Sequence, residues 1–160
     1  FIFFGLDTAN SVEAQNSANV NANASATIVN TLTIEKIVDL NFGAIFPSGS
    51  KKGSVTVGAD GSRTFTGGVT LIGETFSVAS FLVVGEADAT FSIKLPKKNV
   101  VLTNSSGDEM KVNSFSHNAG NTPTIASGGT YFNVGATIDV SKSQPVGVYN
   151  GSFDVTVTFH

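Results

Sequence analysis

The stretch that most constrains the fold is the last one, "VYNGSFDVTVTFH", from Val148 to His160. Tyr149, Phe153, Val155, Val157 and Phe159 alternate with Asn150, Ser152, Asp154, Thr156 and Thr158. A period of two puts large apolar side chains on one face of a strand and polar ones on the other. The front of the chain repeats this period in smaller residues. In "NSANVNANASATIVNTLTI", Asn16 to Ile34, Val20, Ala22, Ala24, Ala26 and Ile28 share one face. Asn19, Asn21, Asn23, Ser25 and Thr27 share the other. This early segment precedes any obvious turn, so what it pairs with is the first question about function.

Strand signals continue between the two ends. They predict strands at Val20–Val29, Leu32–Ile37, Ser54–Val57, Gly68–Ile72, Phe76–Val84, Thr90–Leu95, Val100–Thr103, Met110–Phe115, Phe132–Val140 and Val148–Phe159. Turn clusters separate them: Pro47 to Ser50, Ala59 to Ser62, Ser105 to Asp108, Ser127 to Gly129 and Pro145 to Gly147. Glycine supplies the positive φ of such turns, and Asp and Asn bond their own backbone. Helical spacing is hinted at only over Thr31–Leu40. Many short strands without intervening helices predict an all-β, Greek-key sandwich or barrel. The closing strand would then present a long apolar edge, which invites pairing with another chain.

Composition narrows the function classes. Charged residues are 13% of the 160 and apolar residues 41%, with Ser, Thr, Asn and Gly taking the place of charge. A polar, uncharged surface of this kind suits an extracellular protein. The net charge of −3 gives no grip on nucleic acid, and Lys51-Lys52 and Lys97-Lys98 read as turn charges. There is no cysteine, hence no disulfide framework, redox pair or thiolate metal site. No apolar run is long enough to span a membrane. Residues 1–14, "FIFFGLDTANSVEA", have the look of a secretory signal peptide ending at Val12-Glu13-Ala14, with Gln15 as the new N-terminus. If they are retained, Ile2, Phe4 and Leu6 form a second alternating stripe. The expected division is thus a leader or retained extension at 1–14, a candidate donor strand at 15–28 and the sandwich at 29–160.

The two ends of the chain also carry a likeness. "ANASATIVNTLTIEKIVDLNFGAIFP", Ala22 to Pro47, with its Leu40-Asn41-Phe42-Gly43 turn, resembles the opening of the DUF4402 family of bacterial secreted proteins. The tail from Pro145 to Val157, "PVGVYNGSFDVTV", is similar to that family's closing strand and to that of chaperone–usher pilins. The resemblance implies an immunoglobulin-like sandwich that lacks one strand and takes it from a neighbouring subunit. Val20, Ala22, Ala24, Ala26 and Ile28 would then be the donor, and Tyr149, Phe153, Val155, Val157 and Phe159 the acceptor. The partners implied are further copies of the chain, head to tail, with a periplasmic chaperone and an outer-membrane usher. The implied place is the bacterial cell surface, in a filament or adhesive appendage. One departure is that pilin donors carry larger apolar side chains than alanine. The alternative expectation is a self-complete secreted domain, in which Val20–Val29 pairs with Val148–Phe159 of its own chain and loops bind a protein or carbohydrate.

Catalytic chemistry finds little to build on. His117 lies in the polar loop "SHNAGNTPT", His160 is the last residue, and neither has a zinc-spaced partner. No Gly-x-Ser-x-Gly elbow occurs, and "GADGS", Gly58 to Ser62, lacks the lysine of a phosphate loop and reads as a hairpin turn. Glu86, Asp88, Asp108 and Glu109 sit in or beside turns without calcium-loop spacing. With no Trp and only Tyr131 and Tyr149, a sugar-stacking platform is poorly supplied, which leaves loops such as Ser114–Thr124 for adhesion. The expectation is a protein that is not an enzyme and has no cofactor, metal site or catalytic residues.

Overall fold

The computed structural model describes residues 20–28 and 31–160. The expected leader at 1–14, its Ile2, Phe4 and Leu6, and Val29 lie outside the described residues. The described chain is all-β, with strands β1 (Thr33–Val38), β2 (Ala44–Pro47), β3 (Gly53–Val57), β4 (Arg63–Gly67), β5 (Val69–Ile72), β6 (Ala79–Val84), β7 (Phe91–Lys94), β8 (Val100–Thr103), β9 (Glu109–His117), β10 (Thr130–Val140) and β11 (Thr156–Phe159). They form an antiparallel sandwich in which one layer is continuous and the other is divided.

The continuous layer is organised by β10. Thr137, Ile138 and Asp139 pair with both β3 and β9, so those two strands flank β10 on opposite sides. Val134 pairs with both Ala79 of β6 and His117 of β9. β6 and β3 therefore follow one another along the same side of β10. β1 extends the layer from β6, β4 from β3, and β8 from β9. Alternation along β10 buries Phe132, Val134, Ala136, Ile138 and Val140. Gly135 has to be glycine, because a Cβ there would strike the carbonyl oxygen of Val57.

Two apolar clusters fill the interior. One joins Phe42, Val55, Val57, Val69, Met110, Val112, Ile138 and Val140. The other joins Phe81, Val83, Phe91, Ile125, Phe132 and Val134, with Phe81 and Phe132 stacked at 5.4 Å between centroids. Each fully buried side chain of this size contributes about 1.5–3 kcal/mol of transfer free energy, so these faces hold the two layers together.

The second layer consists of two separate ladders, β2 with β5 and β7 with β11. Several expectations change here. The closing strand predicted at Val148–Phe159 is regular only over Thr156–Phe159, and upstream only Asn150 makes a bridge, to Thr103. β2 and β4 were not predicted. Pro47 reads as a turn residue yet ends β2 as an edge residue that needs no donor, and "RTFTG" holds a single large apolar side chain. The strand expected at Leu32–Ile37 is observed as β1, and the helical hint over Thr31–Leu40 reflects its bulge between Lys36 and Val38, which breaks the strand period. Val20–Ile28 forms no strand and is exposed throughout, Val20 at 93% and Ile28 at 96%.

Candidate strand-acceptor groove

Beside β2 of the divided layer lies a groove of about 850 Å³. Its first wall runs from Asp39 to Pro47 and its second from Pro145 to Phe153. Its floor is the inner face of the continuous layer, from Val100, Leu102, Met110, Val112, Ile138 and Val140.

The first wall is the continuation of β1. After the bulge, Asn41 exchanges backbone hydrogen bonds with Ser77, 2.9 and 3.0 Å, and the Ser77 hydroxyl donates to the Asp39 carbonyl at 2.6 Å. Phe42 is buried and anchors the turn. Gly43 follows at φ 76°, where an added Cβ would strike the Thr75 carbonyl, and its N–H donates to Asn41 Oδ1 at 2.8 Å. The chain thereby leaves the continuous layer and enters β2. Arg63 fixes the result. Its guanidinium donates to the carbonyls of Ala44 (2.9 Å) and Gly73 (3.2 Å) and lies 5.6 Å from the Phe76 ring centroid. Ala44 and Ile72 are paired, so Arg63 closes the end of the β2–β5 ladder.

The second wall is held by side chains more than by a ladder. Gln144 is buried and donates from Nε2 to the Glu109 carbonyl (3.2 Å) and the Tyr149 hydroxyl (3.0 Å). The Tyr149 hydroxyl donates to the Pro145 carbonyl four residues upstream, at 2.7 Å. This tyrosine tie bows Pro145–Val148 outward and leaves Val146 and Val148 exposed on the rim. Asn150 and Thr103 exchange backbone hydrogen bonds, and Gly151 lies so close to Val101 and Leu102 that a Cβ would overlap them. Phe153 completes the wall, its ring 5.0 Å from that of Phe115.

Among the described residues, no backbone hydrogen bond joins the two walls. The first wall carries strand β2, while the second meets a neighbour's backbone only at the Asn150–Thr103 bridge. Backbone donors and acceptors beside a dry surface are the groups that a further strand satisfies.

The expected acceptor residues divide between two places. Tyr149 and Phe153 line the groove. Val155, Val157 and Phe159 do not. They pack on the second core cluster, where β11 is paired with β7. The groove residues that alternation alone missed are on the first wall, Leu40 to Pro47, and on β8 and β9. Their one signal in the sequence is the Leu40-Asn41-Phe42-Gly43 turn, which carries the chain between layers. The expected donor residues Val20, Ala22, Ala24, Ala26 and Ile28 are together on an exposed segment outside the groove.

The remaining candidates take structural places. Gly58–Ser62 is the β3–β4 hairpin, with Gly58 N–H bonded to the Ser62 carbonyl. Its Asp60 accepts from the Ser62 hydroxyl and N–H, which hold the carboxyl below the usual aspartate range. Asp108 accepts from Asn104 Nδ2 within its own turn. Among the described residues no three His, Asp or Glu side chains converge on a metal position, and no helix is long and apolar enough to cross a membrane.

No curated protein and no solved structure matches the chain. A family profile does, that of "Domain of unknown function (DUF4402)", over residues 32–159. The match spans both walls and the floor of the groove and begins after Val20–Ile28. The chain therefore belongs to the DUF4402 family.

Proposed function

We propose that this protein is a structural subunit of an extracellular filament or surface appendage, polymerising by strand exchange rather than performing catalysis. The observation that carries the reading is the presence, in one chain, of an open groove and an exposed segment with strand-like alternation. The groove is lined on its second side by the run from Gln144 to Phe153, and Val20–Ile28 is of similar length. Extended, such a segment spans about 30 Å at ~3.3 Å per residue. Val20, Ala22, Ala24, Ala26 and Ile28 of one copy would face the floor of the next, and their backbone would bond the walls, as in β-augmentation.

The energetics are adequate but not generous. Burying that apolar stripe contributes several kcal/mol at ~25 cal/mol per Å². Each net backbone hydrogen bond adds about 1 kcal/mol. Together they act against the several kcal/mol lost in association. Because the donor and the groove are different surfaces, each step repeats without closing and generates an open filament.

The likeness to chaperone–usher pilins extends the reading to an immunoglobulin-like connectivity, export to the bacterial surface, and a chaperone and usher as assembly partners. A free subunit with an uncovered apolar trough has a use for such a chaperone. The low charge and the polar, uncharged surface accord with an extracellular place.

The test is the solution mass of the full chain beside that of Ala24→Asp. The wild type is expected to form multimers, and the variant to remain a folded monomer. Multimers of undiminished size from Ala24→Asp would refute the donor assignment. A monomeric wild type would favour the self-complete binding domain.

A further inference from the structure

β10 runs the length of the continuous layer, 11 residues or about 36 Å at ~3.3 Å per residue. Its first residue, Thr130, pairs with Val83, and the adjacent Val84 pairs with Thr33, where β1 begins. Its last residue, Val140, pairs with Gly53, which follows Lys51-Lys52. The start of β1 and the Lys51-Lys52 turn therefore mark opposite ends of the sandwich.

The β1 end is acidic. Glu86 and Asp88 are exposed on the loop that leaves β6, and the Asp88 N–H donates to the Ile125 carbonyl of the facing loop at 2.8 Å. Residues 31–33, 84–90 and 122–130 contain no lysine or arginine. The opposite end is basic on its β3 side, where Lys51, Lys52 and Lys142 are exposed. Ser143 ties their two loops together, its N–H donating to the Ser48 carbonyl (2.8 Å) and its hydroxyl to the Gly49 carbonyl (3.3 Å). Asp108 and Glu109 stand at this end too, but on the β9 side of β10, and Asp108 is bonded within its own turn.

The groove begins at this basic end, where Pro47 and Pro145 terminate its walls close to the lysines. It runs inward to Leu40, Phe115 and Phe153. Leu40 and Phe115 pack on both core clusters, so the inner end of the groove lies in the middle of the sandwich. A strand lying in the groove thus connects to its own body through the basic end. Only residues 29–32 separate Ile28 from Thr33, a reach of at most about 18 Å at ~3.6 Å per residue. With Ile28 at the mouth, the acidic end of the donor copy is drawn against the basic end of the acceptor.

We infer that a second copy docks through these two ends, Glu86 and Asp88 of the donor meeting Lys51, Lys52 and Lys142 at the groove mouth of the acceptor. The inference rests on the strand-exchange reading and deepens it. It also sets the direction of insertion, Val20 innermost and Ile28 outermost, because the reverse direction would part the two charged ends. Exposed charges of this kind steer encounter more than they hold a complex together. Their reach is about 8–10 Å at moderate salt, so they act on copies that are already close and correctly turned.

The test follows assembly of the full chain by light scattering after dilution from denaturant. One variant carries Lys51→Glu with Lys52→Glu. Another carries Glu86→Lys with Asp88→Asn, since Asp88 stands at φ 64°, a conformation that asparagine tolerates. A third carries all four changes. At low salt each of the first two is expected to assemble about tenfold more slowly than the natural chain, and the third to recover most of the loss. In ~1 M salt, where the screening length is about 3 Å, the differences should disappear. General repulsion predicts otherwise for the second variant, which removes three negative charges from a chain of net charge −3 and should then assemble faster. Thermal unfolding establishes that each variant folds, and Glu86→Lys alone replaces the second if it does not. Unchanged or faster assembly of the second variant, or no recovery in the third, would overturn the end-to-end contact and leave strand exchange standing. No assembly of the natural chain would overturn strand exchange and this inference with it.

Discussion

Val20–Ile28 and Tyr149–Phe159 are written in the same alternating code and end in opposite conditions. The first is fully exposed and forms no strand. The second is half-buried along its apolar face and ends in a ladder with β7. The difference lies in what each can bury locally. Phe153, Val155, Val157 and Phe159 carry enough apolar surface to hold the chain on the second core cluster even where few backbone bonds form. Three alanines do not, and without an edge to pair with, the early segment gains too little to offset its ordering. Period two thus specifies a face. Whether that face becomes a strand depends on an available edge and on side-chain size.

The sharpest way to break this comparison is to remove size from the closing segment. Phe153→Ala is expected to lower monomer stability by about 2–3 kcal/mol, read by denaturant unfolding. Ala24→Asp on the early segment is expected to change it by less than about 0.5 kcal/mol, because Ala24 touches nothing that must stay dry. Equal effects would mean that the early segment is packed after all.

Next in size is Arg63→Met, which keeps much of the side chain's bulk but removes the donors to the Ala44 and Gly73 carbonyls. It is expected to cost about 1–3 kcal/mol and to speed amide exchange in β2, measured by hydrogen exchange. A loss of stability without faster exchange in β2 would place the role of Arg63 elsewhere. Tyr149→Phe removes the hydroxyl that bonds Pro145 and accepts from Gln144, and is expected to cost about 1 kcal/mol, with Val146 and Val148 exchanging faster than Thr156–Phe159. The smallest effect concerns pH. Ser62 holds the Asp60 carboxyl below its usual range, so the hairpin is favoured above the unfolded-state value and loses that contribution as pH falls below about 4. Asp60→Asn should therefore narrow its stability gap to the wild type on acidification.

Much of the fold was legible because strand period and turn chemistry agreed. Val100–Thr103 was placed to the residue, and β3, β5, β7, β9 and β10 within a few. What escaped was governed by other forces. β2 and β4 are stabilised by pairing with their neighbours rather than by their own alternation, and Pro47 disguised the first of them. The closing strand is shorter than its alternation suggests, because the apolar face persists through Tyr149, where side-chain ties replace the ladder. The groove was half legible. Tyr149 and Phe153 line it, but the first wall is made by a change of layer at Gly43, which no periodicity reports.

The central claim is that the strand missing from the divided layer is carried by another copy of the chain, and relocating it tests that most directly. Val20–Ile28 is moved from its natural position to follow His160 through a long Gly/Ser linker, so that it reaches the groove of its own chain. Solution mass and thermal unfolding are then compared with those of the natural chain. The account predicts that the natural chain forms heat-resistant multimers, while the relocated one is a monomer whose groove is filled. That monomer should melt at least about 10 °C above the Ala24→Asp monomer. A natural chain that is already a stable monomer, with no gain on relocation, would contradict it.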